Sequence, residues 1–181
     1  MKRQMKTVLF SLAILSFAAC GGAEEKEGEG GPTKIDNGDV KGTIELNGAD
    51  FTDQLNLSNG EGKWKAVKVE ITDIAEFTLA PSSISFEEAK AEIEKKAESN
   101  MFGKTELISA EGDVIYYKET KKPFKSETDE EKEGYGFIRI VKKPGADFYR
   151  IESNGDTPLD PIWSKEDCDK LLKIANSFKA S

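Results

Sequence analysis

Val67-Lys68-Val69-Glu70-Ile71-Thr72 and Ala75-Glu76-Phe77-Thr78-Leu79, followed by Ser85-Phe86-Glu87-Glu88, decide the fold. In the first run apolar side chains take the odd positions and polar ones the even positions. That is the period-two pattern of a half-buried strand. Ala75, Phe77 and Leu79 keep the odd phase, so a second strand or extension runs to Pro81. Then the period changes. The Ser85 hydroxyl can accept from the Glu88 amide and the Glu88 carboxylate can reach back, a capping box that opens a helix. Phe86, Ala89, Ile93 and Ala97 recur at helical spacing as a narrow core stripe, and the helix runs to about Glu98. Glu92 and Lys96 are placed to pair on its wet face.

Working outward, the rest of the chain repeats these two patterns. Strands over 105–109 and 113–118 flank a Glu111-Gly112 turn. Val114-Ile115-Tyr116-Tyr117 is apolar on both faces, as in a central strand. Residues 119–134 read as a long charged loop with Pro123 and the acids Glu127, Asp129, Glu130, Glu131 and Glu133. Segments 136–142 and 148–153 form a hairpin closed by Pro144-Gly145-Ala146-Asp147. Ser164 caps a last helix, with Asp167 at the third position and Cys168, Leu171, Leu172, Ala175 and Phe178 as its buried stripe. Toward the N-terminus, Val40, Ile44 and Leu46 alternate with Lys41, Thr43, Glu45 and Asn47 before an Asn47-Gly48 turn. Residues 51–62 are ambiguous and loop-like, because Asn59-Gly60 and Gly62 punctuate them.

Strands joined mainly by turns make an antiparallel sheet, and the helices must bury their stripes on it. The fold class is therefore α+β, a mostly antiparallel sheet with helices packed on it. The element order, and the final helix Lys170-Leu171-Leu172-Lys173-Ile174-Ala175-Asn176-Ser177-Phe178-Lys179, resemble the Mog1/PsbP-like fold over residues 40–178. That resemblance implies an α/β/α sandwich; a cystatin-like helix-on-sheet arrangement is the competing reading.

The first twenty residues carry an address. Lys2, Arg3 and Lys6 precede an apolar run over 8–19, which ends in Phe17-Ala18-Ala19-Cys20 before Gly21-Gly22. Twelve apolar residues are too few to span a bilayer, which takes about 20, so the run reads as a cleaved signal. The order resembles the lipobox of bacterial lipoproteins, with Phe17 where the family usually has Leu. The resemblance implies a signal peptide at 1–19, lipidation of Cys20 and anchoring to a membrane of the bacterial cell envelope. An ordinary secretory signal cut after Ala18 is the alternative. Residues 20–39 then form a lipidated cysteine and flexible acidic tether, and 40–181 a single α+β domain. Glu24, Glu25, Glu27 and Glu29 lie among glycines and Pro32, with too little apolar surface to fold. A plain spacer explains them; they also resemble the surface-export signal of Bacteroidota lipoproteins.

Signal cleavage removes three of the 26 Lys plus Arg and none of the 34 Asp plus Glu, which takes the net charge from −8 to −11. A chain this acidic lacks the cationic footprint that nucleic-acid binding needs. It contains no histidine. Ser-His-Asp and Cys-His pairs, HExxH zinc sites and histidine proton switches are therefore excluded. No SxxK dyad and no glycine-rich loop between strand and helix is present. With Cys20 lipidated, Cys168 has no disulfide partner, and its phase with Leu171, Leu172 and Ala175 makes it a buried core residue. Asn154, Asp156 and Asp160 fail the calcium-loop spacing, since Pro158 replaces a ligand and no Glu closes the loop. No catalytic residue, cofactor or metal site is expected.

What remains is aromatic. Tyr116, Tyr117, Tyr135, Phe137, Phe148 and Tyr149 lie on neighbouring strands, and regular pairing turns one ring of each adjacent pair outward. Outward rings can form a binding face; if helices cover both faces, all the rings are core. Tyr117, Tyr135, Tyr149 and Trp163 are the candidate ligand contacts. The expected function is that of a lipid-anchored, non-enzymatic binding or accessory module with an envelope protein or small ligand as partner. The alternatives are a carrier or sensor of a small apolar ligand and a hydrolase working through two carboxylates.

Overall fold

The computed structural model describes residues 31–58, 63–72, 74–98, 103–121, 131–145, 147–153 and 163–181. The signal segment, Cys20, residues 21–30 of the tether, the Asn59-Gly60 turn, the charged stretch 122–130 and the Asn154–Asp160 acids lie outside the described residues. Among the described residues ten strands and two helices follow in the order β1 (Thr33–Asp36), β2 (Lys41–Ile44), β3 (Asp50–Ser58), β4 (Lys63–Ile71), β5 (Ala75–Ser82), α1 (Phe86–Glu98), β6 (Gly103–Glu111), β7 (Val114–Lys121), β8 (Lys132–Lys142), β9 (Phe148–Glu152), α2 (Lys165–Ser177) and β10 (Lys179–Ala180). All pairings are antiparallel. The main sheet has seven strands in the order β3-β4-β5-β9-β8-β7-β6, and a small sheet has the order β1-β2-β10. The chain is an α+β protein with helices packed on its sheets.

Helices pack on both faces of the main sheet. On one, Val67, Val69, Phe77, Leu79, Phe137, Tyr149 and Ile151 pack against Cys168, Leu171, Ala175 and Phe178 of the α2 segment and against Ile35, Val40 and Ile44 of the small-sheet hairpin. On the other, Ile115, Tyr117, Ile138 and Ile140 pack against Ala89 and Ile93 of α1. The β4–β5 part of that second face is polar instead, with Lys68 ion-paired to Glu70 at 3.3 Å and to Glu76. Val114-Ile115-Tyr116-Tyr117 lies on an interior strand, where Ile115 and Tyr117 join one cluster and Tyr116 the other. That division is why the run is apolar at consecutive positions.

Both caps form as the residues dictate. The Ser85 amide donates to Glu88 Oε2 at 2.8 Å and the Glu88 amide to Ser85 Oγ at 3.4 Å. The Ser164 hydroxyl accepts from the Asp167 amide at 3.1 Å. Asn47 and Gly48 both adopt positive φ, the geometry that an Asn-Gly turn supplies.

Four expectations change. Thr33–Asp36, inside the expected tether, is strand β1: Ile35 is buried and Asn37 Oδ1 accepts from the Asp39 and Val40 amides, closing a hairpin onto β2. Residues 51–58, read as ambiguous and loop-like, lie in edge strand β3, which carries a register shift between Gln54 and Leu57. The last helix stops at Ser177 rather than continuing through Lys179; Phe178 turns extended and buries its ring, and β10 pairs with β2. Glu92, expected to pair on the wet face, reaches Arg150 of β9 at 2.7 Å. Both free edges of the main sheet carry a register shift, the second between Leu107 and Ser109 of β6. Such bulges blunt an edge against pairing with another chain.

Candidate functional site

The four candidate aromatics separate. Tyr117 is 1% exposed beneath α1, and Tyr149 is fully buried against Phe178, ring centroids 5.6 Å apart at 84°. The Tyr149 hydroxyl accepts from the Lys41 amide at 3.1 Å, which ties β9 to the small sheet. Neither faces solvent, because the helices and the small sheet cover the face each occupies. As outward ligand contacts Tyr117 and Tyr149 are therefore corrected to core residues.

Tyr135 and Trp163 come together at the N-terminal end of α2. The Tyr135 amide donates to the Trp163 carbonyl at 2.9 Å, an isolated antiparallel bridge that brings the chain entering α2 beside β8. The Trp163 indole N–H donates to the Ser153 carbonyl. The Ser153 hydroxyl in turn accepts from the Phe137 amide at 2.8 Å, so both strands of the hairpin hold the corner. Tyr135 stacks on Tyr116, with centroids 6.1 Å apart and rings 28° from parallel. Tyr116 is nearly buried, whereas Tyr135 and Trp163 are half-buried.

Charges frame these rings. The Tyr116 hydroxyl donates to Asp169 Oδ1 at 2.9 Å, and Lys165 Nζ donates to Asp169 Oδ2 at 2.6 Å. On the sheet side Lys118 Nζ pairs with Glu133 at 2.7 Å. Burial, then the bond to Asp169, pushes the Tyr116 phenol far above its ordinary range. The hydrogen bond to Asp169 raises Lys165, and the one to Glu133 raises Lys118, so both ammonium groups stay charged. Cys168, next in the helix and buried, has its thiol pushed up to about 12, first by desolvation. It is a protonated thiol at neutral pH, without the thiolate that nucleophilic chemistry needs. The corner thus holds two half-buried aromatic rings beside two ammonium–carboxylate pairs.

A second polar cluster lies under α1. Arg150, 15% exposed, donates to Glu92 of α1 and through Nε and Nη2 to both carboxylate oxygens of Glu152. Two carboxylates do converge here, but on a cation, which is the arrangement of a clamp between helix and sheet. Among the described residues no three His, Cys, Asp or Glu side chains are grouped to hold a metal ion. Nor is any helix among them long and apolar enough to cross a membrane.

Part of the corner is legible in the sequence. Lys165 and Asp169 stand at i,i+4, and Asp169 follows a buried position on a capped helix. Lys118 and Glu133 come from different strands, and only their placement flanking the Tyr135 register reveals them: Lys118 lies directly across from Tyr135. Comparison of the chain with protein-family models, curated proteins and solved structures finds no match.

Proposed function

We propose that the chain is a lipid-anchored lipoprotein of the bacterial cell envelope that works as a non-enzymatic binding module through the Tyr135–Trp163 corner. The lipobox-like run ending at Cys20 supports the anchor. The observation that carries the binding reading is the convergence of Tyr116, Tyr135 and Trp163 with the Lys165–Asp169 and Lys118–Glu133 pairs. Half-buried aromatics with one wet edge are the side chains that binding surfaces favour. The hydrolase reading has less behind it, since among the described residues the converging carboxylates Glu92 and Glu152 are both held by Arg150.

Two measurements test the proposal. The full chain made in a bacterium should incorporate labelled palmitate and fractionate with membranes, and Cys20→Ala should lose both. A photo-crosslinking residue at Tyr135 should capture an envelope component that the same residue at Glu94, on the far side of α1, does not. Unlabelled Cys20, or identical capture at both positions, would overturn the corresponding half.

A further inference from the structure

Ile74 is 53% exposed in the turn between β4 and β5. A single exposed apolar side chain is ordinary and carries nothing by itself. The surroundings of this one carry more. The Ile74 amide donates to the Ile71 carbonyl at 2.7 Å, which closes the turn, and Ile71 is half-buried against the core. A second turn stands beside it. The Ala49 amide donates to the Leu46 carbonyl at 3.0 Å, and β3 then starts at Asp50, directly opposite Glu70 of β4. The two turns therefore share one end of the β3–β4 pair. Leu46 and Phe51 are also half-buried there, so Ile74 extends an apolar rim. Ile108, the other large apolar residue exposed among the described residues, is on β6 at the opposite edge of the sheet.

The chain enters the fold at the same end. Thr33 starts β1 opposite Ile44, the last residue of β2, and Leu46 follows two residues later. Cys20 precedes Thr33 by 13 residues, a reach of at most about 45 Å. A lipid on Cys20 thus holds this end of the domain near the membrane. A tethered domain does not leave between encounters, so a contact too weak to recruit a free protein is enough to orient it.

Charge selects the kind of lipid. Glu45 and Asp50 are exposed at the Leu46–Ala49 turn, and Asp73 precedes Ile74 in the sequence. Glu70 and Glu76, at the base of the Ile74 turn, share Lys68. The other cations near this end are Lys34 on β1 and Lys173, one turn before the Ser177 that accepts from the Glu45 amide. Carboxylates outnumber ammonium groups, so an anionic bilayer repels this end. We infer that the Ile71–Ile74 turn is a membrane-contact tip, with Ile74 entering the headgroup layer of a zwitterionic bilayer. The inference rests on the reading of Cys20 as the lipid anchor.

The test uses the full chain, extracted with its lipid and reconstituted on phosphatidylcholine vesicles. A polarity-sensitive fluorophore is placed on Glu45→Cys, beside the tip, or on Ile108→Cys; Cys168 is buried and stays unlabelled. Nitroxide-headgroup lipid should quench the probe at 45 at least threefold more than the probe at 108. Ile74→Ser, at a side chain the fold leaves exposed, should bring quenching at 45 down to the level at 108, and Ile74→Leu should keep it. Replacing about a third of the lipid with phosphatidylglycerol should weaken it at least twofold. Equal quenching at 45 and 108, or no change in Ile74→Ser, overturns the inference. A blue-shifted but unquenched probe at 45 overturns it in favour of a protein surface, and concentration-dependent self-quenching identifies that surface as a second copy of the chain. Chains that float with the vesicles but are not quenched overturn the tip alone. Chains that do not float overturn the anchor, and the tip with it.

Discussion

Arg150 Nη1 donates to Glu92 Oε2 at 2.7 Å, across the interface between β9 and α1. The same guanidinium grips Glu152 through Nε and Nη2, so one cation holds two carboxylates at the edge of a small apolar contact. Removing it takes that cation from both. Breaking a buried pair from one side costs about 3–5 kcal/mol. Arg150→Ala should therefore lose about 3 kcal/mol by urea unfolding, whereas Glu92→Gln, whose side chain is partly exposed, should lose under about 1 kcal/mol. Equal losses would mean that Glu92, and not Arg150, organises the cluster.

The small sheet makes a sharper prediction. A Cβ at Gly42 would overlap the Lys179 carbonyl oxygen and press on the Phe178 ring. The backbone is what sits there, so the clash cannot be relieved by a side-chain rotation. Gly42→Ala should cost about 1–3 kcal/mol and release β10. Amide exchange at Lys179 and Ala180 should speed up in the variant while β7 and β8 stay protected. Unchanged exchange would show that β10 accommodates the methyl group.

The fold is legible in the sequence where its signals are local. Alternation at Val67–Ile71 and Ala75–Leu79, and the caps at Ser85 and Ser164, are local signals, and the strands and helices stand where they place them. What failed was non-local. Ile35 is one buried residue in an acidic run, and it becomes a strand because β2 lies beside it. β10 is two residues held by the same partner, and β3 pairs with β4 across a register shift. In the corner the aromatics were visible, but only the covering of each face showed that Tyr117 and Tyr149 are core while Tyr135 and Trp163 meet.

Alkali should loosen the α2 face. Burial keeps the Cys168 thiol protonated to about 12, and the Tyr116 phenol beyond its ordinary range, while the unfolded chain loses these protons near ordinary values. With the folded pKa raised, the contribution is fully present below about pH 9 and is lost as pH rises toward 12. The thiol alone accounts for on the order of 3 kcal/mol by pH 11. Denaturant unfolding between pH 8 and pH 11 should show the decline, and Cys168→Ala should flatten part of it. A parallel decline in both proteins would assign the effect elsewhere.

The two tryptophans give a matched comparison. Trp163 Nε1 donates to the Ser153 carbonyl, whereas Trp64 Nε1 is buried without a hydrogen-bond partner. Phe substitution removes an N–H from each, with similar loss of ring area. At Trp163 it breaks a bond and leaves a carbonyl short, a net cost of about 1 kcal/mol beyond packing. At Trp64 it removes a group that folding strips of water without replacement, which offsets the lost packing. Trp163→Phe should therefore be less stable than Trp64→Phe by about 1–2 kcal/mol in chemical denaturation. Trp163→Phe should also blunt exchange protection of the Tyr135 amide, which bonds the Trp163 carbonyl at 2.9 Å. The reverse order of stabilities would mean that the Trp64 indole N–H finds an acceptor in solution.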